Sequence, residues 1–361
     1  MANGLDDVVA AETVLSDVDG IGGSLTIRGH AVWTLAGRWG FPAVVRLLFD
    51  GFFEDLPAGR SMAAKIGEAR VEVFDRVRPL LPELASLDVY GGMRAGIALL
   101  PDGESLADAL RLVVAPAVLT PALLRTRDGE QAVAPDADAD HAADMLHMLT
   151  GAPAAPAPAK ALDTYLVTVC DHGLNASTFA TRVVASTQAG LTSSVLAGLG
   201  ALKGPLHGGA PGPVIKMLDA IETHGDATGW LRGELAHGER IMGFGHRIYK
   251  VRDPRADVLK TVVRKLAGAA GAHRLAFAEK VEQAALEVLR DAKPGRSIQT
   301  NVEFFTALLL EAVGFPEEAF SCVFASGRIA GWIAHAREQR EVGRLLRPQS
   351  RYVGPVPNLV A

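Results

Sequence analysis

Apolar residues recur at helical spacing through most of this chain, and that pattern constrains the fold more than any other feature. From about residue 41 onward, segments such as RSMAAKIGEARVEVFDRV and NVEFFTALLLEAVG place apolar side chains three and four positions apart. The segment SLADALRLVVAPAVLTPALL shows the same spacing but contains two prolines, which we expect to break its helix. The pattern predicts a protein that is almost entirely α-helical.

A short β-hairpin is predicted at the N-terminus. Two runs of β-forming residues, 8–15 and 25–27, flank a turn rich in aspartate and glycine. No other pair of runs has this composition, so we expect a single strand pair. The chain is therefore predicted to be mostly α, with the strands confined to its first thirty residues.

Several helix boundaries can be predicted from capping residues. Gly151 is expected to end one helix, and the Pro/Ala-rich stretch after it, APAAPAPAKA, is expected to be a connection. Asn175 or Ser177 can cap the helix that follows the break at DHG. Asp253 is expected to cap a later helix, with Pro254 at its first position.

Length and charge limit the classes of function. At 361 residues the chain exceeds the roughly 250–300 residues at which a single core stops growing, which favours two domains. A net charge of −5 argues against non-specific nucleic-acid binding. The N-terminus lacks the pattern of a signal peptide, and charges or Pro/Gly interrupt every long apolar run, so we expect a cytoplasmic protein without a membrane span. Cys170 and Cys322 are expected to be buried free thiols rather than a disulfide.

Two histidines lie beside glycines in segments that can approach a ligand closely. His207 lies in KGPLHGGAPGP, where Gly208 and Gly209 carry no Cβ and Pro213 can occupy the first turn of the next helix. His246 lies between a glycine and a basic run in IMGFGHRIYKVRDPRA. Taken alone, either segment is equally compatible with a turn that carries an incidental histidine. Together they favour a site.

The chain resembles citrate synthase over nearly its whole length. The matching stretches are VVAAETVLSDVDG, DHGLNASTFATRVVAST, GPLHGGA, IMGFGHRIYKVRDPRA, NVEF, SGRIAGWIAH and RPQSRYVGP, in this order. The resemblance implies a two-domain helical fold with a short N-terminal β-hairpin, assembled as a homodimer with shared active sites. It implies a large domain of residues 1–208 and 311–361, and a small domain of residues 209–310 on the CoA side.

The resemblance also implies the reaction and its catalytic residues. Acetyl-CoA would condense with oxaloacetate and water to give citrate and CoA through an enol. A thioester methyl is a very weak acid, so its deprotonation needs a carboxylate base and a donor on the carbonyl oxygen. By resemblance the base is Glu303, the donor is His207, and His246 donates to the ketone of oxaloacetate. We expect no metal and no permanently bound cofactor, with the coenzyme A thioester as a co-substrate.

A small dianion such as oxaloacetate is best held by planar bidentate donors, which arginine supplies. The resemblance implies five oxaloacetate ligands: His172, His246, Arg255, Arg328 and Arg347. Arg347 would reach into the site of the neighbouring subunit. Taken alone, Arg255 reads as a solvated arginine at a helix start and His172 as a helix-end cap, whereas Arg328 lies in an apolar segment where an unpaired charge is costly.

The predicted CoA contacts follow from the same resemblance. They are Gly243, Phe244, Gly245 and Lys250, of which the two glycines would let the backbone approach the CoA moiety. Lys250 and Arg252 can contact CoA phosphates, but a solvated basic patch is an equal alternative. The expected partners are thus oxaloacetate, an acyl-CoA and a second copy of the chain, with neither nucleic acid nor membrane.

The chain departs from the family pattern in three places, and these keep other functions open. Glu303 replaces the usual aspartate, Pro211-Gly212 replaces the usual Asn-Glu, and the chain is somewhat short. The extra methylene of glutamate adds ~1.5 Å of reach, and ~1 Å of misplacement can cost ~10²-fold in rate. The alternatives are 2-methylcitrate synthase, which would use propionyl-CoA with the same residues, and a catalytically weak paralogue that binds CoA or dicarboxylate.

Overall fold

The computed structural model describes residues 8–205, 207, 211–266 and 272–355. It is 62% helical and 4% strand, so the prediction of a mostly α fold is confirmed. The predicted close approach at Gly208 and Gly209 lies outside the described residues. Among the described residues the helices are α1 Val32–Leu35, α2 Phe41–Phe49, α3 Gly59–Val77, α4 Leu81–Leu84, α5 Val89–Ala98, α6 Leu106–Arg127, α7 His141–Thr150, α8 Pro156–Val169, α9 Ala176–Ala185, α10 Leu191–Leu202, α11 Pro211–His224, α12 Ala227–Ala236, α13 Pro254–Leu266, α14 Ala272–Ala292, α15 Val302–Ala312 and α16 Phe320–Val342.

The N-terminal hairpin exists, but its first strand begins later than predicted. Strand β1 (Ser16–Asp19) pairs antiparallel with β2 (Ser24–Ile27), with Asp19 opposite Ser24, and a short β3 (His30–Ala31) extends the sheet beyond β2. The prediction of a strand over residues 8–15 is wrong. There residues 13 and 14 are held by a side chain of α16 instead, because the Glu338 carboxylate accepts hydrogen bonds from the Thr13 hydroxyl and from the Val14 backbone N–H.

Helix α6 lies at the centre of the protein and is buried along nearly its whole length. It packs against α3, α5, α7 and α16. The prediction that its prolines break it is wrong: Pro116 and Pro121 lie inside one continuous helix, where tight packing on all sides outweighs the two missing backbone hydrogen bonds. By length and composition α6 is apolar enough to cross a membrane, but 78% of its apolar window is buried within the protein, as in a core helix.

Most predicted helix boundaries are confirmed. Gly151, with φ +74°, ends α7, and Asn175 caps α9 by accepting hydrogen bonds from the backbone of residues 177 and 178. The stretch after Gly151 is only in part a connection, because α8 already begins at Pro156, which occupies the first helical position without losing a hydrogen bond. The long α8 then ends two residues before Asp171.

Helices α11 to α15 fall within the predicted small domain and pack largely on one another. Two of them, α13 and α15, also contact α8 from the remainder of the chain. The predicted boundary at residue 310 lies inside α15, and the division into two domains stays a prediction. Cys170 and Cys322 are buried free thiols, as predicted.

Candidate active site

Three histidines, two arginines and one glutamate come together where α9, α13, α15 and α16 meet the loops between them. The histidines are brought in by the break after α8, by the turn before α11 and by the loop before α13. Each comes from a segment that the sequence singles out, although these segments are far apart along the chain. Burial among the surrounding helices, together with the neighbouring charges, sets the protonation state of each histidine and of the glutamate.

His207 is a neutral hydrogen-bond donor. Its Nε2 lies 2.7 Å from Ser177 Oγ and accepts the backbone N–H of Ser177 at 3.3 Å. A backbone amide can only donate, so Nε2 carries the lone pair and Nδ1 carries the proton. Burial, assisted by the positive charge of Arg328, lowers the pKa of His207 to about 4. The imidazole is therefore uncharged at neutral pH and offers Nδ1–H to a ligand.

His246 is fixed in the opposite tautomer. Its Nδ1 accepts the backbone N–H groups of Ile248 and Tyr249, each at 3.1 Å, which leaves the proton on Nε2. That Nε2 lies 3.5 Å from Nη2 of Arg255, so two donors face each other with no acceptor between them. Burial and the nearby Arg255 lower the pKa of His246 to about 4. An anionic oxygen between the two donors would satisfy both.

His172 completes the histidine group. Its ring meets that of His246 edge-on, with centroids 5.6 Å apart, and its Nε2 lies 3.2 Å from the hydroxyl of Tyr249. Burial, together with Arg255 and Arg328, holds its pKa well below the ordinary value. Like the other two histidines, His172 is neutral at pH 7.

Two buried arginines supply positive charge. Arg255, in the first turn of α13, pairs with Asp253 through Nε (3.1 Å) and Nη2 (2.8 Å). Arg328, on α16, donates Nε to the Val169 carbonyl at 2.7 Å and lies 4.7 Å from the Phe324 ring centroid. Within the described residues no carboxylate forms an ion pair with Arg328. Burial lowers its pKa to about 10, although the charge of Asp171 opposes that change, so Arg328 remains a cation.

Glu303 lies in the first turn of α15, which Asn301 caps by accepting the Glu303 backbone N–H at 3.0 Å. Burial raises the pKa of Glu303 to about 7, although the charges of Arg255 and Arg328 oppose that rise. A carboxylate with this pKa is a much stronger base than an exposed one and is about half ionised at neutral pH.

The loop that carries His246 is joined directly to the segment that carries Glu303. Gly245 N–H donates to the Gln299 carbonyl (2.8 Å), and Asn301 N–H donates to the Gly243 carbonyl (3.0 Å). Asn301 Nδ2 adds a bond to the Gly245 carbonyl at 2.8 Å. The two glycines need this freedom, because their φ angles are +82° and +81°. The GFG sequence thus couples the histidine and the carboxylate.

Asp253 links the starts of two helices. Besides pairing with Arg255, its Oδ2 accepts the backbone N–H of Val302 at 3.3 Å, at the start of α15. The sequence identified Asp253 only as a helix cap. Its charge also keeps the arginine oriented, and one carboxylate therefore positions both Arg255 and the helix that bears Glu303.

A buried polar network lies beneath His172. Asp171 Oδ2 accepts hydrogen bonds from Ser16 of β1 and from Nε2 of His335 (3.3 Å). His335 Nδ1 in turn accepts from Arg182 at 3.0 Å, and Arg182 pairs with Glu338. Burial alone would raise the pKa of Asp171, but His335 and Arg328 together lower it. The network anchors the loop that holds His172 to α16 and to the hairpin.

Arg347 and Lys250 lie apart from this cluster. Arg347 is exposed in the segment after α16, which has no regular secondary structure. Lys250 is also exposed; its Nζ donates to the Arg247 carbonyl at 3.1 Å, and its backbone N–H donates to the Gly20 carbonyl in the hairpin turn. Phe244 is buried and packs edge-on against Phe304 at 5.4 Å. The roles of these residues stay predictions.

Comparison with known proteins identifies the family. The family model described as citrate synthase, C-terminal domain, matches residues 4–349. The citrate synthase of Haloferax volcanii is 35% identical over 98% of this chain and 96% of its own. The chain belongs to the citrate synthase family. It is therefore an enzyme of the acyltransferase type.

Solved citrate synthases share the whole fold. The structure from Thermotoga maritima matches with a TM-score of 0.85 and 30% identity, over 98% of this chain and 96% of that one. The structure from Thermoplasma acidophilum matches with a TM-score of 0.86 and 28% identity, over 98% and 96% of the two chains. That structure is a ternary complex with carboxymethyl coenzyme A and oxaloacetate. The citrate synthase-like helical fold is thus shown along nearly the full length.

Four residues of the cluster were not predicted as functional: Ser177, Tyr249, Asp253 and Asn301. Ser177 and Asn301 carry weak sequence signals, because each lies at or next to a helix start. Tyr249 carried a stronger signal. It lies within the basic run HRIYKVR that begins at His246, and a large aromatic residue is unusual in an exposed loop of this kind. The structure shows it 3% exposed, with its ring in contact with His172 and His246.

Proposed function

We propose that this protein condenses acetyl-CoA with oxaloacetate and water, giving citrate and CoA through an enol intermediate. The observation that carries the proposal is the buried cation of Arg328, which forms no ion pair with a carboxylate among the described residues. A buried unpaired charge is costly unless a ligand compensates it. A dicarboxylate bound between Arg328, Arg255 and the neutral histidines would supply that charge.

The enolisation step uses a base and a donor. Glu303 removes a proton from the acetyl methyl of the thioester, while Nδ1–H of His207 donates to the thioester oxygen as negative charge develops there. The raised pKa of Glu303 supports this role, because a carboxylate with a pKa of about 7 is better matched to a weak carbon acid. The neutral state of His207 lets it donate without prior charging.

The enol carbon then attacks the ketone carbon of oxaloacetate. Nε2–H of His246 donates a hydrogen bond to the ketone oxygen as this becomes an alkoxide, and the new carbon–carbon bond gives the CoA thioester of citrate. The alkoxide takes up one proton from solvent to become the hydroxyl, and Glu303 returns to solvent the proton that it removed from the methyl. Hydrolysis of that thioester by water releases citrate and CoA. The tautomer of His246 supports this step, since its backbone contacts leave the proton on the nitrogen that faces Arg255.

The protein is proposed to act as a homodimer whose partner supplies Arg347 to each site. The exposed position of Arg347 in an unpaired C-terminal segment supports this part of the proposal. The loop of Gly243, Phe244 and Gly245, with Lys250 beside it, is proposed to contact CoA. The space beside Gly245, where an added Cβ would meet only Ile298 at 3.6 Å, supports a close approach of ligand to backbone there.

The experiment is CoA release by the purified protein with oxaloacetate and either acetyl-CoA or propionyl-CoA. We expect kcat/KM to be higher with acetyl-CoA, and release without oxaloacetate to be negligible. A preference for propionyl-CoA would identify 2-methylcitrate synthase instead, since one methylene in an acyl pocket is worth only ~1–3 kcal/mol. No release with either thioester would contradict the proposed activity and leave a binding protein.

A further inference from the structure

A second cavity, of ≈ 550 Å³, lies between α1, α8 and α13 and is lined by none of the residues assigned above. Its volume falls in the range of roughly 300–1,000 Å³ that is typical of small-molecule sites. We call it the α8–α13 groove. One wall is α8 and the other is α13, while α1 and the turn after it close one side.

Positive charge surrounds the groove. Arg38, Lys160 and Lys265 line it, and no acidic side chain does so among the described residues. Lys160 is partly compensated, because its Nζ lies 3.2 Å from Asp163. Within the described part of the chain neither Arg38 nor Lys265 has an ion-pair partner. The groove therefore offers at least two cations to an anionic group.

The floor between these cations is apolar. Small and branched residues of the two helices form it, including Ala157 and Ala161 of α8 and Val258 and Val262 of α13. Trp33 borders the groove and remains 53% exposed, which is unusual for so large an apolar side chain. An exposed indole beside cations suits a flat ring that carries a negative charge.

The two walls of the groove lead to the dicarboxylate site. Helix α13 begins one residue before Arg255, and Val258 and Val262 lie about 5 and 10 Å further along it, at 1.5 Å per residue. Helix α8 ends at Val169, three residues before His172. A ligand in the groove would therefore bridge the two helices that lead to Arg255 and His172.

We propose that the α8–α13 groove binds a planar aromatic ring bearing one carboxylate or phosphate, and that its occupant alters the affinity for the dicarboxylate. The binding claim stands on the groove alone, while the coupling claim rests on the proposed function. Thermodynamic linkage makes the effect reciprocal. If the occupant changes the affinity for oxaloacetate by some factor, oxaloacetate must change the affinity for the occupant by the same factor.

Binding is tested by calorimetry on the intact protein with three probes: 2-naphthoate, AMP and inorganic phosphate. We expect one site per chain for at least one aromatic probe, with binding at least tenfold tighter than that of phosphate. Tighter binding of 2-naphthoate identifies a carboxylate ligand, and tighter binding of AMP identifies a phosphate ligand. Equal affinity for phosphate, or no binding of either aromatic probe, overturns the assignment.

Matched variants locate the site. Lys265→Glu reverses a groove charge and should weaken the aromatic probe at least tenfold, and Trp33→Ala should do so without a change of charge. Lys280→Glu makes the same charge reversal at an exposed position on α14 outside the groove and should leave affinity within twofold. If the two variants bind the aromatic probe with the same affinity, the probe binds outside the groove and the proposal fails.

Coupling is tested by measuring oxaloacetate affinity with and without saturating probe. The coupling is supported if the probe changes the affinity for oxaloacetate in the wild type but not in Lys265→Glu. Oxaloacetate must also change the affinity for the probe by the same factor. Equal oxaloacetate affinity in both conditions overturns it. If oxaloacetate does not bind at all, the proposed function and the coupling fail together, whereas the probe titrations still decide the groove.

Discussion

At the scale of single residues, backbone amides decide what each histidine can do. Ser177 N–H directs the lone pair of His207 to Nε2, and two amides after His246 direct its lone pair to Nδ1. Both rings are thereby neutral donors that point opposite nitrogens toward ligands. Burial keeps them uncharged, since their pKa values are about 4. Catalysis by these side chains therefore needs no protonated imidazole.

Glu303→Gln should reduce turnover by ~10²-fold or more, which is the share typical of a general base. Glutamine keeps the shape but cannot accept the proton. Oxaloacetate affinity should be nearly unchanged, because other residues hold the dicarboxylate. The step is isolated by deuterium exchange into the acetyl methyl in the presence of a non-reactive oxaloacetate analogue. Exchange at the wild-type rate would remove Glu303 as the base.

The raised pKa of Glu303 also predicts a pH dependence. Below about pH 7 the carboxylate takes up a proton, so kcat/KM should fall about tenfold per pH unit there.

The same shift predicts how stability depends on pH. Between pH 4.5 and about 7 the folded state binds more protons than the unfolded state, so this group's contribution to stability is lost as pH rises through about 7. Urea unfolding at pH 8 should then show Glu303→Gln to be more stable than wild type by about 1–3 kcal/mol. An equal difference at pH 4 would contradict this explanation.

Tyr249→Phe should raise KM for oxaloacetate about three- to tenfold, the cost of one hydrogen bond of ~1 kcal/mol. The phenol lies 3.2 Å from Nε2 of His172, while its ring packs on both His172 and His246. Phenylalanine keeps the ring and loses only the hydroxyl. KM for acetyl-CoA should stay unchanged. Tyr90→Phe, which removes a buried phenol hydroxyl that donates to the Leu199 carbonyl outside the site, serves as the control. Equal effects of the two changes would argue against a role for Tyr249 in the site.

At the scale of elements, the site depends on a joint between a loop and a helix start. The GFG loop pairs with residues 299–301 through two backbone bonds, and this pairing holds His246 near the first turn of α15. Asp253 makes a second joint by bonding both Arg255 and the α15 backbone. Each joint connects segments that are distant in sequence, so the geometry of the site follows from the packing of α13 and α15.

Gly243→Ala tests the first joint. Its φ is +82°, and a Cβ there would lie 3.0 Å from the Phe304 Cβ and 3.3 Å from the Phe304 Cα. Gly238→Ala is the matched control, because it has φ +83° but no neighbour within 4 Å. Both variants bear the same backbone strain, but only the Cβ of Gly243→Ala collides with Phe304. Gly243→Ala should therefore lose about 1–3 kcal/mol more unfolding free energy than Gly238→Ala. It should also lower kcat, measured by CoA release, whereas Gly238→Ala should not.

If the two glycine variants unfold at the same urea concentration and keep the same kcat, the contact with Phe304 is not what holds the loop. A lower kcat with unchanged stability would point to displacement of His246 alone. Comparing both measurements therefore separates the stability of the joint from the position of the histidine.

At the scale of the whole molecule, the segment after α16 exposes several large apolar side chains to solvent. Leu345, Tyr352 and Val353 are 56%, 73% and 83% exposed, and Arg347 is exposed among them. Exposed apolar side chains in one segment favour contact with another surface. A second copy of the chain, as the proposed homodimer requires, would cover them and receive Arg347.

Subunit mixing tests this arrangement. Arg347→Ala and His207→Ala proteins should each be inactive alone, yet mixed dimers should recover activity. In a mixed dimer one site keeps its own His207 and receives Arg347 from its partner, so random mixing restores about a quarter of the sites. CoA release is measured after exchange has been verified by mass. Proven exchange without recovered activity would contradict a shared site.

The sequence by itself determined the helical class, most of the helix ends and the family. Those features depend on local physics: apolar spacing, caps such as Asn175 and stops such as Gly151 act over a few residues. Predictions from local sequence were wrong where contacts with residues distant in the sequence outweighed the local preference. Buried surroundings kept Pro116 and Pro121 within α6, and Glu338 held residues 13 and 14 away from the predicted strand.

Only the tertiary structure decided the chemistry of the site. The sequence provided the residue types His207, His246 and Glu303, but a pKa depends on burial and neighbouring charge, which distant segments supply. The base strength of Glu303 comes from its burial, which outweighs the opposing charges of Arg255 and Arg328, and the tautomers come from backbone amides that the loops direct at the rings. The unpaired charge of Arg328 likewise exists only once α16 is packed inside, because in the unfolded chain water would solvate it.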